Sequence, residues 1–142
     1  MRHDLLIRGG LVATATDTFH ADIGIRDGRI ATLAESITDA DDVIDASGRI
    51  VMPGGIEAHC HIAQESGMGV MTSDDYESGS ISAAFGGNSC FVPFAAQKAG
   101  QSLGTTIQTY DERATSKSVL DWSYHLIPVS YTHLTLPTIC SV

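Results

Sequence analysis

Basic side chains are scarce in this sequence: 8 lysines and arginines stand against 17 aspartates and glutamates, leaving a formal net charge of −9. A chain so short of positive charge has no stripe with which to neutralise phosphates, which argues against nucleic acid or an anionic membrane surface as a partner. Cysteine is rarer still. Cys60, Cys90 and Cys140 are odd in number, irregularly spaced and free of any Cys-x-x-Cys, so no disulfide framework is implied and reduced thiols are expected. No apolar run approaches the roughly 18–20 residues of a membrane span. The opening stretch Met1-Arg2-His3-Asp4-Leu5-Leu6-Ile7-Arg8 has too short an apolar core for a signal peptide, and Arg8 with two glycines breaks it. A cytoplasmic protein is expected. With 43% hydrophobic residues the composition is that of a soluble globular protein, and 142 residues suit one domain or a piece of a larger one.

What is present changes texture at Pro53-Gly54-Gly55. Before it, short apolar runs are punctuated by turn residues: Leu5-Leu6-Ile7, Gly9-Gly10, Leu11-Val12-Ala13. Asp22 to Arg26 and Arg29 to Leu33 flank Asp27-Gly28, whose tolerance of positive φ predicts a tight hairpin. A further strand pair is predicted from Val43-Ile44-Asp45 and Ile50-Val51-Met52 around Ser47-Gly48. After Gly55 strands alternate with helices, the pattern of βα units on a parallel sheet. A strand over Ile56–Ile62 leads to a helix capped near Thr72-Ser73-Asp74-Asp75, with Tyr76, Ile81, Ala84 and Phe85 on one face and Gly86-Gly87 as its stop. A strand over Ser89–Ala95 follows, with Pro93 expected near its end because it has no N–H to give a ladder. Ser102 opens a second helix with Leu103, Ile107, Tyr110 and Ala114 on one side, and Leu120–Ile127 alternates as a third strand.

Within the first of these strands lies Glu57-Ala58-His59-Cys60-His61. Side chains alternate along a strand, so Glu57, His59 and His61 are expected on one face and Ala58, Cys60 and Ile62 on the other. Two imidazoles so placed can lean onto one ion, each nitrogen about 2 Å from it. Two ordinary hydrogen-bonded histidines remain the alternative. Cys60 is excluded from the pair by parity and reads as a small packed thiol. The position favours the ligand reading, because parallel-sheet enzymes place their sites at carboxyl ends of strands.

The run from Ile44 to His61, including Asp45-Ala46-Ser47-Gly48, Met52-Pro53-Gly54-Gly55 and His59-Cys60-His61, resembles the opening segment of the amidohydrolase superfamily, in its dihydropyrimidinase/hydantoinase branch. The resemblance continues through Thr72-Ser73-Asp74-Asp75-Tyr76, Ala84-Phe85-Gly86-Gly87 and Val119 to His125, and covers roughly residues 4 to 127. It implies an α/β fold: a partial TIM-like (β/α) barrel, its first three strands within residues 53–127, preceded over residues 1–52 by part of a small β-sandwich. It further implies a binuclear metal site, usually zinc, with His59 and His61 among its ligands, a carboxylated lysine bridging the ions and an aspartate late in the barrel moving the proton. The implied activity is hydrolysis of a cyclic amide or ureide, such as a dihydropyrimidine or hydantoin, to an N-carbamoyl amino acid, by an intact parent that is commonly a homo-oligomer. The branch also holds non-catalytic assembly proteins.

Two departures stand out. Glu57 occupies a place where the family commonly has aspartate, and the loop Gln64–Met71 begins with polar residues where the branch has an apolar substrate gate. The remaining metal ligands and the catalytic aspartate belong to later strands, so no catalytic residue is assigned in this chain. Lys98 and Lys117 read as solvated lysines and His125 as a packed one. Residues 128–142 carry no charged side chain and match nothing in the family, and read as an artefactual tail; His133 and Cys140 are not ligand candidates.

Overall fold

The computed structural model describes residues 2–66 and 68–129; most of the segment read as a foreign tail lies outside them. The chain separates into two compact units, one ending at Pro53 and the other starting at Gly54.

The first unit is a mixed sheet. Its strands are β1 (His3–Ala13), β2 (Thr18–Arg26), β3 (Arg29–Ala34), β4 (Ala40–Asp45) and β5 (Ile50–Val51), ordered β3-β2-β1-β4 with β5 also on β1. The β2–β3 hairpin turns where the sequence predicts, with Asp27 at φ 52° and Gly28 at φ 69°. The runs on either side of Gly9-Gly10 are one strand rather than two. Three steps along β1 from Ile7 to Gly10 match two along β2, from Ile23 to Ala21, and Gly9 at φ 71° absorbs the extra residue. Asp22, 5% exposed, fastens this bulge: one oxygen accepts the Gly9 N–H at 2.8 Å and the other the Ile37 N–H at 2.9 Å. Val43–Asp45 and Ile50–Val51 do not pair with each other as expected. Both run parallel to β1, which is long enough to take them in succession along one edge. The Ser47-Gly48 turn carries the chain between them, with the Ser47 N–H held by Asp45 Oδ1 at 2.9 Å. Val12, Ala21 and Ile23 form the buried centre, flanked by Ile7, Phe19, Ile25 and Val51.

The second unit is a parallel sheet with two helices. Its order is β6 (Gly55–Cys60), α1 (Tyr76–Phe85), β7 (Asn88–Ala96), α2 (Leu103–Ala114), β8 (Asp121–Trp122) and β9 (His125–Ile127). β7 is central, paired with β6 on one edge and with β8 and then β9 on the other. The third predicted strand is thus broken in two, and Pro93 accounts for the break. It lies inside β7, not near its end, and the Val92-Pro93 step faces the interruption at Ser123-Tyr124, where a residue without an N–H cannot continue the ladder.

Both helices start where their caps predict. Asp75 accepts the N–H groups of Glu77 and Ser78, each at 3.0 Å, while the Ser78 hydroxyl accepts the Asp75 N–H at 3.2 Å, a reciprocal box. Ser102 Oγ accepts the Thr105 N–H at 3.0 Å. The buried face of α1 differs from the expected one. Tyr76 is buried, but Phe85 is 91% exposed, and Gly79 and Ser80 pack inward in place of Ile81 and Phe85. The helix approaches so closely that a Cβ on Gly79 would come within 2.7 Å of Ile62 Cδ1. On α2, Tyr110 and Ala114 are buried as expected, with Thr106 in place of Ile107. The core gathers Ile62, Ala63, Tyr76, Phe91, Ala95, Tyr110 and Ala114, with Cys60, Leu120, Trp122, Tyr124 and Leu126 against it.

The cap carries a pH signature. Hydrogen bonds from the Ser78 N–H and then the Lys117 ammonium lower the Asp75 carboxyl from 3.8 to about 2. A depressed carboxyl stabilises the fold above its unfolded value and loses that contribution as pH falls through the folded one. Exchange protection of the Glu77 and Ser78 amides should therefore decline as pH drops from 3.8 towards about 2. In Asp75→Asn, whose amide oxygen caps without titrating, that decline should be absent; an identical decline in the variant would assign it to other carboxylates.

Candidate metal centre

The strand that carries the histidine pair is itself bulged. Glu57 pairs with Phe91 and Cys60 with Pro93, so three steps along β6 match two along β7. Simple alternation therefore fails at Ala58-His59. Glu57 and Cys60 stand over two β7 residues of the same parity, and both line one cleft with His61, Ile62 and Asp74. The expectation that Cys60 faces away from Glu57 is corrected accordingly, while Glu57 keeps company with the histidines: it shares the cleft with His61, and its Oε1 turns back to accept the His59 N–H at 2.9 Å. Burial, then the Glu57 charge, pushes the Cys60 thiol up to about 11, so it stays protonated at neutral pH and packs against the core as a small apolar group.

Past the bulge the two imidazoles come together. The ring centroids of His59 and His61 lie 5.7 Å apart, edge to face. Phe94, whose neighbours Phe91 and Ala95 are both buried in the core, is the surface they share. His61 stacks on it at 4.9 Å and 16°, and His59 meets it edge-on at 4.9 Å and 75°. Both histidines are exposed. His125, read from the sequence as packed, is exposed; it meets the same ring at 5.2 Å, with its Nε2–H donated to the Ala58 carbonyl at 3.0 Å. That nitrogen is committed to the backbone.

The chain leaves the strand through a pinned turn. Ala63 takes φ 47°; its N–H donates to the Asp74 carbonyl at 2.9 Å, and its own carbonyl accepts from Arg113 Nη1 at 2.7 Å. Gln64 is held twice by Thr72, and Gln64 Oε1 lies 2.5 Å from His61 Nδ1. The lysines that resemble bridging candidates are engaged elsewhere: Lys98 with Glu65 at 2.6 Å and Lys117 with Asp75 at 2.9 Å. Among the described residues no cluster of three or more His, Cys, Asp or Glu could hold an ion. The two imidazoles are a donor pair of the right chemistry for zinc, which takes nitrogen at about 2.0–2.1 Å, but one that needs further ligands.

Several participants were not visible in the sequence. Phe94 falls within the predicted Ser89–Ala95 strand and Arg113 within the second predicted helix, and nothing in the sequence singled either out. Gln64 was noticeable only as a polar residue at the head of a loop that is apolar in the resembled family.

No family model matches the chain. It is 42% identical over 123 residues to a D-hydantoinase of Geobacillus stearothermophilus, covering 86% of this chain and 26% of that protein. It is 34% identical over 128 residues to a dihydropyrimidinase of Rattus norvegicus, covering 86% of this chain and 24% of the relative. The crystal structure of a dihydropyrimidinase from Brevibacillus agri NCHU1002 matches with a TM-score of 0.80 at 39% identity, over 85% of this chain and 26% of that one. The molecule is thus an α/β protein whose mixed and parallel sheets reproduce part of a hydantoinase structure. The chain is a homologue of the D-hydantoinases and dihydropyrimidinases, spanning about a quarter of the length of the relatives it matches.

Proposed function

We propose that this chain is the N-terminal portion of a metal-dependent cyclic amidase, which opens dihydropyrimidine or hydantoin rings to N-carbamoyl amino acids. The observation that carries the reading is the pair of imidazoles at the end of the first parallel strand, gathered on Phe94. In this reading the parallel sheet is the beginning of a TIM-like barrel within residues 53–127, and the mixed sheet over residues 1–52 is part of a flanking β-sandwich. Uncovered apolar side chains on both units, among them Ile30, Ile50, Ile56 and Phe85, support a larger parent that buries them.

His59 and His61 are the ligands this portion contributes. Zinc held there would polarise a ring carbonyl and lower the pKa of a bound water, the two things amide hydrolysis needs. The protein's own share is to fix both rings at one mouth of the sheet. Because a catalytic zinc normally takes three protein ligands and a water, two donors leave this chain without turnover by itself. The intact parent is a cytoplasmic homo-oligomer acting on small cyclic amides or ureides. No helix among the described residues is long and apolar enough to cross a membrane.

The test is zinc retention after equilibrium dialysis, read by elemental analysis, together with hydrolysis of dihydrouracil and hydantoin. A longer product of the same gene should retain zinc and open a ring, and its His59→Ala/His61→Ala form should do neither; the 142-residue chain should open no ring. Equal retention by the double variant would sink the ligand assignment. A folded longer product devoid of metal and activity would place the parent among the non-catalytic relatives.

A further inference from the structure

We infer that Gln64 is a positioning residue for His61: its side-chain carbonyl fixes the ring as the Nδ1–H tautomer, so that Nε2 presents its lone pair outward. The inference deepens the metal-ligand reading above and rests on it for its purpose, though not for its test. Three observations carry it. Gln64 Oε1, which can only accept, lies 2.5 Å from His61 Nδ1, so that nitrogen must carry the proton. The rest of Gln64 is not free to wander. Its N–H donates to Thr72 Oγ1 at 3.1 Å and its carbonyl accepts the Thr72 N–H at 2.9 Å. One residue earlier, Arg113 reaches from α2 to the Ala63 carbonyl at 2.7 Å, with its guanidinium carbon 4.7 Å from the centre of the Tyr110 ring. The brace originates in the second βα unit and acts on the exit of the first strand, where Ala63 already stands at φ 47°.

The chemistry explains why such a brace matters. A neutral imidazole binds a metal through whichever nitrogen lacks a proton, and the partner of the other nitrogen decides which that is. Stacked on Phe94, the His61 ring has its plane set; Gln64 sets which end is which. The molecule also contains its own controls. His125 donates Nε2–H to the Ala58 carbonyl and must be the opposite tautomer, while His3 donates Nδ1–H to the Asp39 carbonyl and accepts from Thr32 through Nε2.

Long-range proton–nitrogen correlation spectra of the 142-residue chain, recorded at a pH where the imidazoles are neutral, read each tautomer directly. His61 and His3 should appear as Nδ1–H and His125 as Nε2–H, a mixed pattern that an unfolded chain cannot give. In Gln64→Leu the His61 signal alone should move towards Nε2–H, and in Gln64→Glu, which keeps the acceptor, it should stay. In the longer product of the gene, apparent zinc affinity, measured by competition with a chromophoric chelator, should fall about 10–100-fold in Gln64→Leu and be retained in Gln64→Glu. An Nε2–H form of His61 in the wild-type chain would overturn the inference, since Gln64 would then be donating its amide; so would a His61 tautomer indifferent to Gln64→Leu. A tautomer shift in the 142-residue chain, together with zinc binding by the longer product that ignores His59→Ala/His61→Ala, would uphold the positioning role and sink the ligand reading. Zinc binding that needs both histidines but ignores Gln64 would do the reverse.

Discussion

Replacing Phe91 by alanine should cost the second unit about 3–5 kcal/mol, the usual penalty for emptying the site of a fully buried aromatic side chain. Phe91 has no exposed surface, stands on the central strand and meets Tyr76 with ring centroids 6.0 Å apart. No neighbour is placed to collapse into the space, because β7 is locked between strands on both edges and α1 already approaches as closely as Gly79 allows. The single tryptophan reports on this unit: Trp122 packs against the core and donates its indole N–H to Asp111 at 3.0 Å. Urea unfolding followed by its fluorescence should show an early transition in Phe91→Ala and a smaller shift, under about 1.5 kcal/mol, in the closer-sized Phe91→Leu. If the alanine variant unfolds within about 1 kcal/mol of the parent, the core described around Phe91 is not the one that holds the unit together.

A second large effect is expected in the first unit. Asp22→Ala leaves the buried Ile37 N–H without a partner and the part-buried Gly9 N–H with water in place of the carboxylate. A buried unsatisfied group costs about 1–3 kcal/mol, and a loss of that size is expected from Ile37, with a smaller share from Gly9. Asp22→Asn should fall between the two chains, since its amide offers one acceptor to two donors and turns an N–H towards the other. Hydrogen exchange at the Gly9 and Ile37 amides separates this mechanism from general softening. Both should lose protection in the alanine variant, only one in the asparagine variant, and equal loss in the two would contradict the two-acceptor account.

Local signals carried much of this fold. The Asp27-Gly28 turn and the Asp75 and Ser102 caps were legible because each depends on one or two residues doing a task few others can do. The histidine pair was legible for a similar reason, since two imidazoles two residues apart are uncommon. Reading failed where a distant strand decided the outcome. Nothing in Val43–Asp45 or Ile50–Val51 says that β1 takes both, and nothing near Leu120–Ile127 announces the proline on β7 that splits it. The β6 bulge is of the same kind: alternation set Glu57 and Cys60 on opposite faces, and pairing with β7 brings both to one cleft. Gln64 and Arg113 were missed because their importance comes from reach across the fold, over 3 residues to His61 and 50 to Ala63, and composition does not encode reach.

Among the described residues β6 is bonded along one side only, to β7. Its outer margin therefore has no strand partner, and beside Ile56 at 65% exposure it is open to any extended peptide that drifts alongside. Concentrated solutions of this chain should build oligomers by strand addition at that margin, and the histidines would be drawn into the seam as they form.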